Sequence, residues 1–377
     1  MNKLIPTLLL FAALFTIFPS CTNEKKSNQE ESGTDLRLLV GTFTGSGSEG
    51  IYQVNFNTRT GALSEKKRVV ETSNPAYLTI SKDRTNVFSV NENEKGSVSS
   101  FKWNADKSML ERISEQSSKG SSPCYIELNQ KEDLLATANY VTGNIALYPV
   151  NKDGSIQPAV SVKQHTGHGP VVPNQEGPHA HCVRFSEDGR WLYAVDLGND
   201  KVLAYPIVNG EAGDEKVALE LDPGDGPRHL IFHPSKNIAF IINELSSTVV
   251  SVSVNNQTGE FTRIAKLSTL PKDYEGKNAC ADIHISGDGR FLYASNRGHN
   301  SIAVFKISGD GELEKIATEL VHGNWPRNFT LSPNENFLLV ANRRSNDITV
   351  FKRDPDSGLL IFTGEKIEID EPVCLKF

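Results

Sequence analysis

The sequence predicts an all-β fold, a seven-bladed β-propeller with four antiparallel strands in each blade. Two observations lead to this prediction. Apolar and polar residues alternate along most of the 377-residue chain, and no long helical pattern interrupts them. A pair of such strands also recurs six times at intervals of 46 to 57 residues, a spacing that is typical of propeller blades.

The six strand pairs share one internal spacing. The polar residue that ends the second strand always stands eleven positions after the last apolar residue of the first strand. The pairs run from Ile80 to Asn91, Leu128 to Asn139, Phe185 to Asp196, Phe232 to Asn243, Ile285 to Asn296 and Leu331 to Asn342. A third alternating strand such as "NIALYPV" follows, and a Gly turn such as "KDGSI" leads into a fourth. Because Asp-Gly pairs favour hairpins, Asp188–Gly189 and Asp288–Gly289 are interpreted as turn residues.

The two ends of the repeat region predict how the ring closes. The region begins with a second-type strand, "LRLLVGTFT", and ends with an isolated first-type strand, "PVCLKF". This last strand can complete the N-terminal blade, which leaves the ring without an open edge. Six complete pairs and this composite blade make seven.

The N-terminal residues predict export. Residues 1–20 resemble a bacterial lipoprotein signal peptide, with a positive start, the apolar run "LIPTLLLFAALFTIF" and a small residue before Cys21. An ordinary signal peptide with an incidental cysteine is the alternative. Residues 21–35 are polar and predict a flexible tether, which leaves residues 36–377 for the propeller. We expect a monomer in the bacterial cell envelope that contacts the membrane only through a lipid on Cys21.

Net charge indicates which partners to expect, and cysteine spacing indicates whether disulfides form. The formal net charge of −7 argues against a nucleic-acid partner, because nucleic-acid-binding domains usually carry a basic face. Four further cysteines lie in apolar runs without CxxC spacing: Cys124, Cys182, Cys280 and Cys374. We expect them to be buried thiols, with a disulfide pair as the alternative.

Residues at two strand positions should meet at one end of the channel, because the first two strands of a blade are antiparallel. At the start of the first strand the equivalent residues are Ala76, Cys124, His181, Arg228, Ala281, Arg327 and Val373. One residue after the second strand they are Thr42, Glu92, Tyr140, Leu197, Glu244, Arg297 and Arg343. Charged residues there are costly unless they are paired or solvated. We interpret this mouth as an anion-binding site with a titratable base; a water-filled mouth with internal ion pairs is the alternative.

Other histidines and a long loop flank this mouth. His229 should alternate to the opposite side of its strand and serve packing. The pair His179 and His181 could present two metal ligands, but no third ligand stands at a recognisable spacing. We therefore expect neither a metal nor a cofactor. The loop "QHTGHGPVVPNQEGPHAH" is the longest insertion and is interpreted as a cover for a substrate.

These motifs resemble a known family, the seven-bladed lactonases, which include a bacterial class of 6-phosphogluconolactonase and fungal 3-carboxy-cis,cis-muconate cyclase. The matching motifs extend from Val40 to Phe377 and are "GTFT", "NPAYL", "QEGPHAH", "AVDLGND", "GPRHLIFHP", "INEL", "ASNRGHNSI", "PRNFTLSP" and "PVCLKF". The resemblance implies a catalytic set that consists of His181, Arg228, Glu244 and Arg297.

The substrate-binding candidates are Arg327, Arg343, Gln175 and His179. The two arginines could hold a second anionic group such as a 6-phosphate. Family members commonly have an arginine directly before the glutamine, whereas Asn174 stands there in this chain. If that arginine binds phosphate in the family, this chain lacks the contact.

The resemblance implies hydrolysis of a small anionic sugar lactone, 6-phosphoglucono-δ-lactone in particular. His181 or Glu244 would act as the base, and Arg228 and Arg297 would stabilise the oxyanion. Two alternatives stay open. A muconate-type cycloisomerase would use the same residue types, and a non-catalytic propeller could bind a ligand or partner in the envelope, because the fold alone does not determine function.

Overall fold

The computed structural model describes residues 1–2 and 35–377, and the described part of the chain folds into seven antiparallel sheets. Residues 33–377 form one compact unit, and of the preceding unit, residues 1–32, only the first two residues are described. Cys21 and most of the predicted signal peptide and tether therefore lie outside the described residues. Within the described ranges, no helix is long and apolar enough to cross a membrane.

The seven sheets are the predicted blades, numbered here from the N-terminus. Blade 1 contains β1 (Asp35–Thr42), β2 (Gly50–Asn57) and β3 (Leu63–Glu71). Blade 2 contains β4 (Leu78–Ile80), β5 (Asn86–Asn91), β6 (Ser97–Trp103) and β7 (Leu110–Ser117). Blade 3 contains β8 (Pro123–Leu128), β9 (Leu134–Asn139), β10 (Asn144–Pro149) and β11 (Ser161–Gln164). Blade 4 contains β12 (Ala180–Phe185), β13 (Trp191–Asp196), β14 (Lys201–Val208), β15 (Glu211–Ala212) and β16 (Lys216–Glu220). Blade 5 contains β17 (Pro227–Phe232), β18 (Ile238–Asn243), β19 (Thr248–Val254) and β20 (Phe261–Ser268). Blade 6 contains β21 (Ala279–Ile285), β22 (Phe291–Arg297), β23 (Ser301–Ile307) and β24 (Leu313–Leu320). Blade 7 contains β25 (Pro326–Leu331), β26 (Phe337–Asn342), β27 (Asp347–Arg353) and β28 (Leu360–Glu368).

The ring closes as predicted. The final strand, β29 (Pro372–Lys376), pairs antiparallel with β1, with Leu39 opposite Lys376 and Gly41 opposite Cys374, so that blade 1 has the order β29-β1-β2-β3. The prediction of an all-β, seven-bladed propeller is confirmed. One detail differs from four strands per blade. In blade 4 the outer position is divided between two short strands, since β15 and β16 both pair with β14.

The core lies between neighbouring blades. The second strands β9, β13, β18, β22 and β26 are buried along their whole length, because each is covered on both faces by adjacent blades. Phe240 of β18 and Leu292 of β22, for example, belong to one buried cluster that spans blades 5 and 6. This explains why second strands such as "IAFIIN" are apolar almost throughout. The four cysteines of the propeller are buried and free, as predicted.

A shift of register marks the start of the innermost strand in six blades. It interrupts the pairing of β8, β12, β17, β21 and β25 with their neighbours and that of β29 with β1. The residue skipped in β12 is His181, in β17 Arg228 and in β25 Arg327. Because a β-bulge redirects the side chain of the unpaired residue, this repeated irregularity points the first ring of residues into the channel mouth.

Candidate active site

Glu244 binds two arginines at the channel mouth. Its Oε2 lies 3.0 Å from Nε of Arg228 and 2.6 Å from Nη2 of Arg297. Burial alone would raise the pKa of Glu244, but the two guanidinium groups hold it below its ordinary value. Glu244 is therefore an ionised anchor that fixes the positions of two cations.

The turn before β17 fixes the backbone of this anchor. The amide of Glu244 donates to the carbonyl of Gly226 at 2.7 Å, and the amide of Gly226 donates to Oδ1 of Asp200 at 2.7 Å. Gly226 has a φ of +60°, and a Cβ there would lie 2.4 Å from the side chain of Leu245. The glycine in the "GPRH" motif is thus required by both its conformation and its surroundings.

Arg228 is held from behind by a buried chain of hydrogen bonds. Its Nη1 donates to the carbonyl of Ala281 at 2.5 Å and lies 3.1 Å from Nε2 of His229. Nδ1 of His229 lies 2.8 Å from Oδ1 of Asp282. Because a guanidinium group only donates, Nε2 of His229 must accept, so Nδ1 carries the hydrogen that binds Asp282. Burial, together with the charge of Arg228, lowers the pKa of His229 to about 3, which keeps its ring neutral.

Simple alternation predicted that His229 lies on the opposite side of its strand from Arg228, and this prediction was wrong. The bulge at Arg228 interrupts that alternation. The ring of His229 lies 5.3 Å from the ring of His181 and 5.1 Å from that of Tyr125, measured between centroids. His229 is buried, as expected of a residue that serves packing, but its neighbours are site residues.

His181 is buried beside this chain. Its Nδ1 lies 3.7 Å from Sγ of Cys124, and its ring is 5.5 Å from the ring of Tyr140 in an edge-on arrangement. Burial, and then the nearby positive charge of Arg228, holds the pKa of His181 well below its ordinary value. The imidazole is therefore neutral near pH 7 and has a nitrogen that can accept a proton.

The two arginines of blade 7 differ in how they are paired. Both Nε and Nη2 of Arg343 donate to Oε1 of Glu371, at 3.0 and 2.9 Å, so its charge is balanced. Arg327 has only a long ion pair, 3.6 Å from its Nη2 to Oε2 of Glu92, and makes no hydrogen bond with any described residue. Both guanidinium groups also lie near the ring of Phe43. Arg327 is the arginine with donors available for an anionic ligand.

Gln175 and His179 have different surroundings. The side chain of Gln175 is fully buried, and its Nε2 donates to the carbonyl of Leu197 and to Oδ1 of Asp200, both at 2.8 Å. Gln175 belongs to the long loop and connects it to the carboxylate that also holds Gly226. The ring of His179 is stacked on Tyr140 with 4.5 Å between centroids.

Three residues at the mouth were given no role by the sequence. Trp325 lies near Arg344 and Arg297, whose guanidinium carbons are 3.4 and 5.4 Å from its ring centroid, and it has a φ of +68°. Asp282 and Glu92 are the others. An acid inside the apolar strand "ACADIHI" was a readable signal for Asp282, because a buried charge requires partners. Across residues 35–377, no group of three His, Cys, Asp or Glu side chains is arranged to hold a metal ion.

These observations define the class of the protein: a closed seven-bladed propeller whose channel mouth carries several arginines beside a neutral histidine. Comparison with known proteins identifies the family. Residues 37–377 match the family described as lactonase, 7-bladed beta-propeller, and the chain belongs to this family.

The relatives agree with this assignment. The chain is 38% identical to a 6-phosphogluconolactonase of Bacillus subtilis over 346 residues, which cover 90% of this chain and 97% of the relative. It is similar to the crystal structure of a putative 6-phosphogluconolactonase from Bacteroides fragilis, with 37% identity, a TM-score of 0.83 and coverage of 92% and 99% of the two chains. The periplasmic gluconolactonase of Pseudomonas aeruginosa shares 34% identity, with a TM-score of 0.85 and coverage of 91% and 99%.

Proposed function

We propose that this chain hydrolyses a sugar δ-lactone, as the names of its relatives state for them. One observation carries the proposal. Two buried arginines are fixed on the carboxylate of Glu244 at 3.0 and 2.6 Å, close to the neutral imidazole of His181. Fixed cations beside a proton acceptor are what the addition of water to an ester carbonyl requires.

In the proposed mechanism His181 is the base. It removes a proton from water as the water oxygen adds to the lactone carbonyl. Arg228 and Arg297 then face the oxygen on which negative charge develops and stabilise it without moving, because their positions are already fixed. Glu244 is the weaker candidate for the base, because its Oε2 is already engaged by nitrogens of two arginines, at 3.0 and 2.6 Å.

Arg327 is proposed to bind the anionic group of the substrate. Its guanidinium makes no hydrogen bond within the described part of the chain, whereas Arg343 is paired with Glu371. Gln175 is proposed to order the long loop rather than to contact the substrate, since its amide is buried and fully engaged. Asn174 stands where family members commonly have an arginine, so the kinetic test compares a phosphorylated with an unphosphorylated lactone.

The cellular placement is part of the same proposal. Residues 1–20 as a signal peptide, lipidation of Cys21, a tether over 21–35 and a monomeric propeller stay predictions from the sequence. The similarity to a periplasmic gluconolactonase supports export. Growth with labelled palmitate tests it: the wild-type protein should incorporate label, and Cys21→Ala should not.

The activity is tested with the purified full-length chain and two substrates, 6-phosphoglucono-δ-lactone and glucono-δ-lactone, above the rate of spontaneous hydrolysis. We expect turnover of at least one, with a strong loss in His181→Ala and Arg228→Ala. Full turnover in either variant would contradict the assigned roles. If neither lactone is hydrolysed, the enzyme proposal fails, and trials with muconate-type substrates and ligand-binding assays would follow.

A further inference from the structure

Two glutamates at the channel mouth have opposite surroundings. Glu244 has two arginine nitrogens within 3.0 Å. Glu92 has one distant ionic contact, 3.6 Å from its Oε2 to Nη2 of Arg327, and this buried oxygen has no hydrogen-bond partner among the described residues. Two carboxyl groups in such different environments are suited to two different tasks.

The two glutamates occupy equivalent positions in different blades. Each is the first residue after the second strand, Glu92 after β5 of blade 2 and Glu244 after β18 of blade 5. Blades 3 and 4 separate them on one side of the ring and blades 6, 7 and 1 on the other, so they stand on opposite sides of the mouth. A ligand held by Arg228 and Arg327 would lie between them.

Burial and the neighbouring charges act on the pKa of Glu92 in opposite directions. The charged or titratable groups that act on it from the surrounding blades are Arg327, Arg228, Arg343 and the thiol of Cys124. Burial raises the pKa of Glu92 above its ordinary value, and the three arginines reduce this effect without reversing it. The side chain nevertheless remains 19% exposed, so a ligand in the mouth can reach it.

We infer that Glu92 is the general acid that protonates the ring oxygen leaving the lactone, an inference that rests on the proposed lactone hydrolysis. Water adds to the carbonyl carbon and gives one proton to His181. When the tetrahedral intermediate collapses, the bond between the carbonyl carbon and the ring oxygen breaks, its electron pair goes to the ring oxygen, and Glu92 supplies the proton. His181 and Glu92 then return to their starting states by exchange with solvent, and the product acid releases one proton.

The other groups at the mouth are less suited to this step. Glu244 is ionised and has no proton to give. His181 is neutral and is needed to accept the proton from water. The arginines do not release protons near pH 7. Once Glu92 has given up its proton, its carboxylate faces Arg327, which stabilises the charge formed in the reaction.

The test compares Glu92→Gln with wild type, using the full-length protein and whichever of the two lactones wild type hydrolyses. Glutamine has the shape and the neutral charge of the protonated acid, so substrate binding should change little. We expect kcat to fall about 100-fold or more, within the range of general acid catalysis, with KM within about twofold of wild type. Glu94→Gln, an exposed residue in the same turn, is the matched control and should retain wild-type kinetics.

A pH profile separates catalysis from structure. In wild type, kcat/KM should decline as the pH rises through the raised pKa of Glu92, and this decline should be missing in Glu92→Gln. Glu92→Asp keeps the proton but shortens the side chain, and it should retain the decline at a lower rate. If Glu92→Gln keeps wild-type kcat, or raises KM alone, the inference is wrong. If Glu92→Gln does not fold, a pH profile of Glu92→Asp without the decline overturns it equally. Absence of lactone hydrolysis in wild type counts against the proposed function instead.

Discussion

Replacing Glu244 by glutamine should expose the cost of holding two arginines in the channel mouth. The substitution keeps the shape of the side chain but leaves Arg228 and Arg297, both almost fully buried, without a counter-charge. Removing one partner of a buried ion pair costs about 3–5 kcal/mol, and we use the lower value because the Glu244 side chain is 17% exposed. For a unit of about 340 residues, 3 kcal/mol corresponds to a fall in Tm of roughly 4 °C.

Thermal unfolding followed by circular dichroism measures this change, and its pH dependence tests the cause. The arginines lower the pKa of folded Glu244, so the stabilisation is complete above the unfolded pKa of about 4.3 and is lost as the pH falls through the folded pKa. The difference in Tm between wild type and Glu244→Gln should therefore shrink in acid. Glu49→Gln, at an exposed ion pair with Arg68, is the control and should change stability by less than about 1 kcal/mol. An unchanged Tm at pH 7, or a difference in Tm that does not shrink as the pH is lowered below about 4.3, would refute the reasoning.

Three further changes test other parts of the molecule. Arg327→Met should raise KM for a phosphorylated lactone about tenfold or more while leaving KM for the unphosphorylated lactone nearly unchanged. Arg343→Met should have a smaller effect, because Arg343 is already paired with Glu371. Equal effects of Arg327→Met on both lactones in initial-rate kinetics would contradict this. Asp282→Asn should lower the free energy of unfolding by about 3 kcal/mol in urea titrations, because its carboxylate accepts hydrogen bonds from His229, His284 and Asn328; a loss below about 1 kcal/mol would show that these bonds are dispensable. Deleting residues 372–377 should open blade 1 and cause aggregation in gel filtration, and a shortened protein that melts at the wild-type temperature would contradict the role of β29 in closure.

The sequence was sufficient to predict the ring and to place Arg228 and Glu244 at the same channel mouth, because a strict repeat spacing carries each position from blade to blade. It was not sufficient for His229. Alternation predicts the side of a strand only while pairing is regular, and the shift of register at Arg228 has no separate signature in the sequence.

The state of each charged group was also beyond the sequence. Glu92 and Glu244 occupy equivalent positions, and their difference arises from distances to arginines on other blades. Arg327 and Arg343 are equally basic in the sequence, yet Glu371 pairs with only one of them. Positions in a repeat can be deduced from spacing, whereas protonation depends on which side chains finally meet across the channel.

The pairing of β29 with β1 also determines when folding can finish. Within the propeller, β29 is synthesised after every other strand, yet it is hydrogen-bonded to β1, with Leu39 opposite Lys376. Blade 1 therefore stays incomplete while blades 2 to 7 are made, and the ring cannot close before β29 has left the ribosome. Until β29 docks, the inner edge of β1 remains open to chaperones or to the strands of other chains.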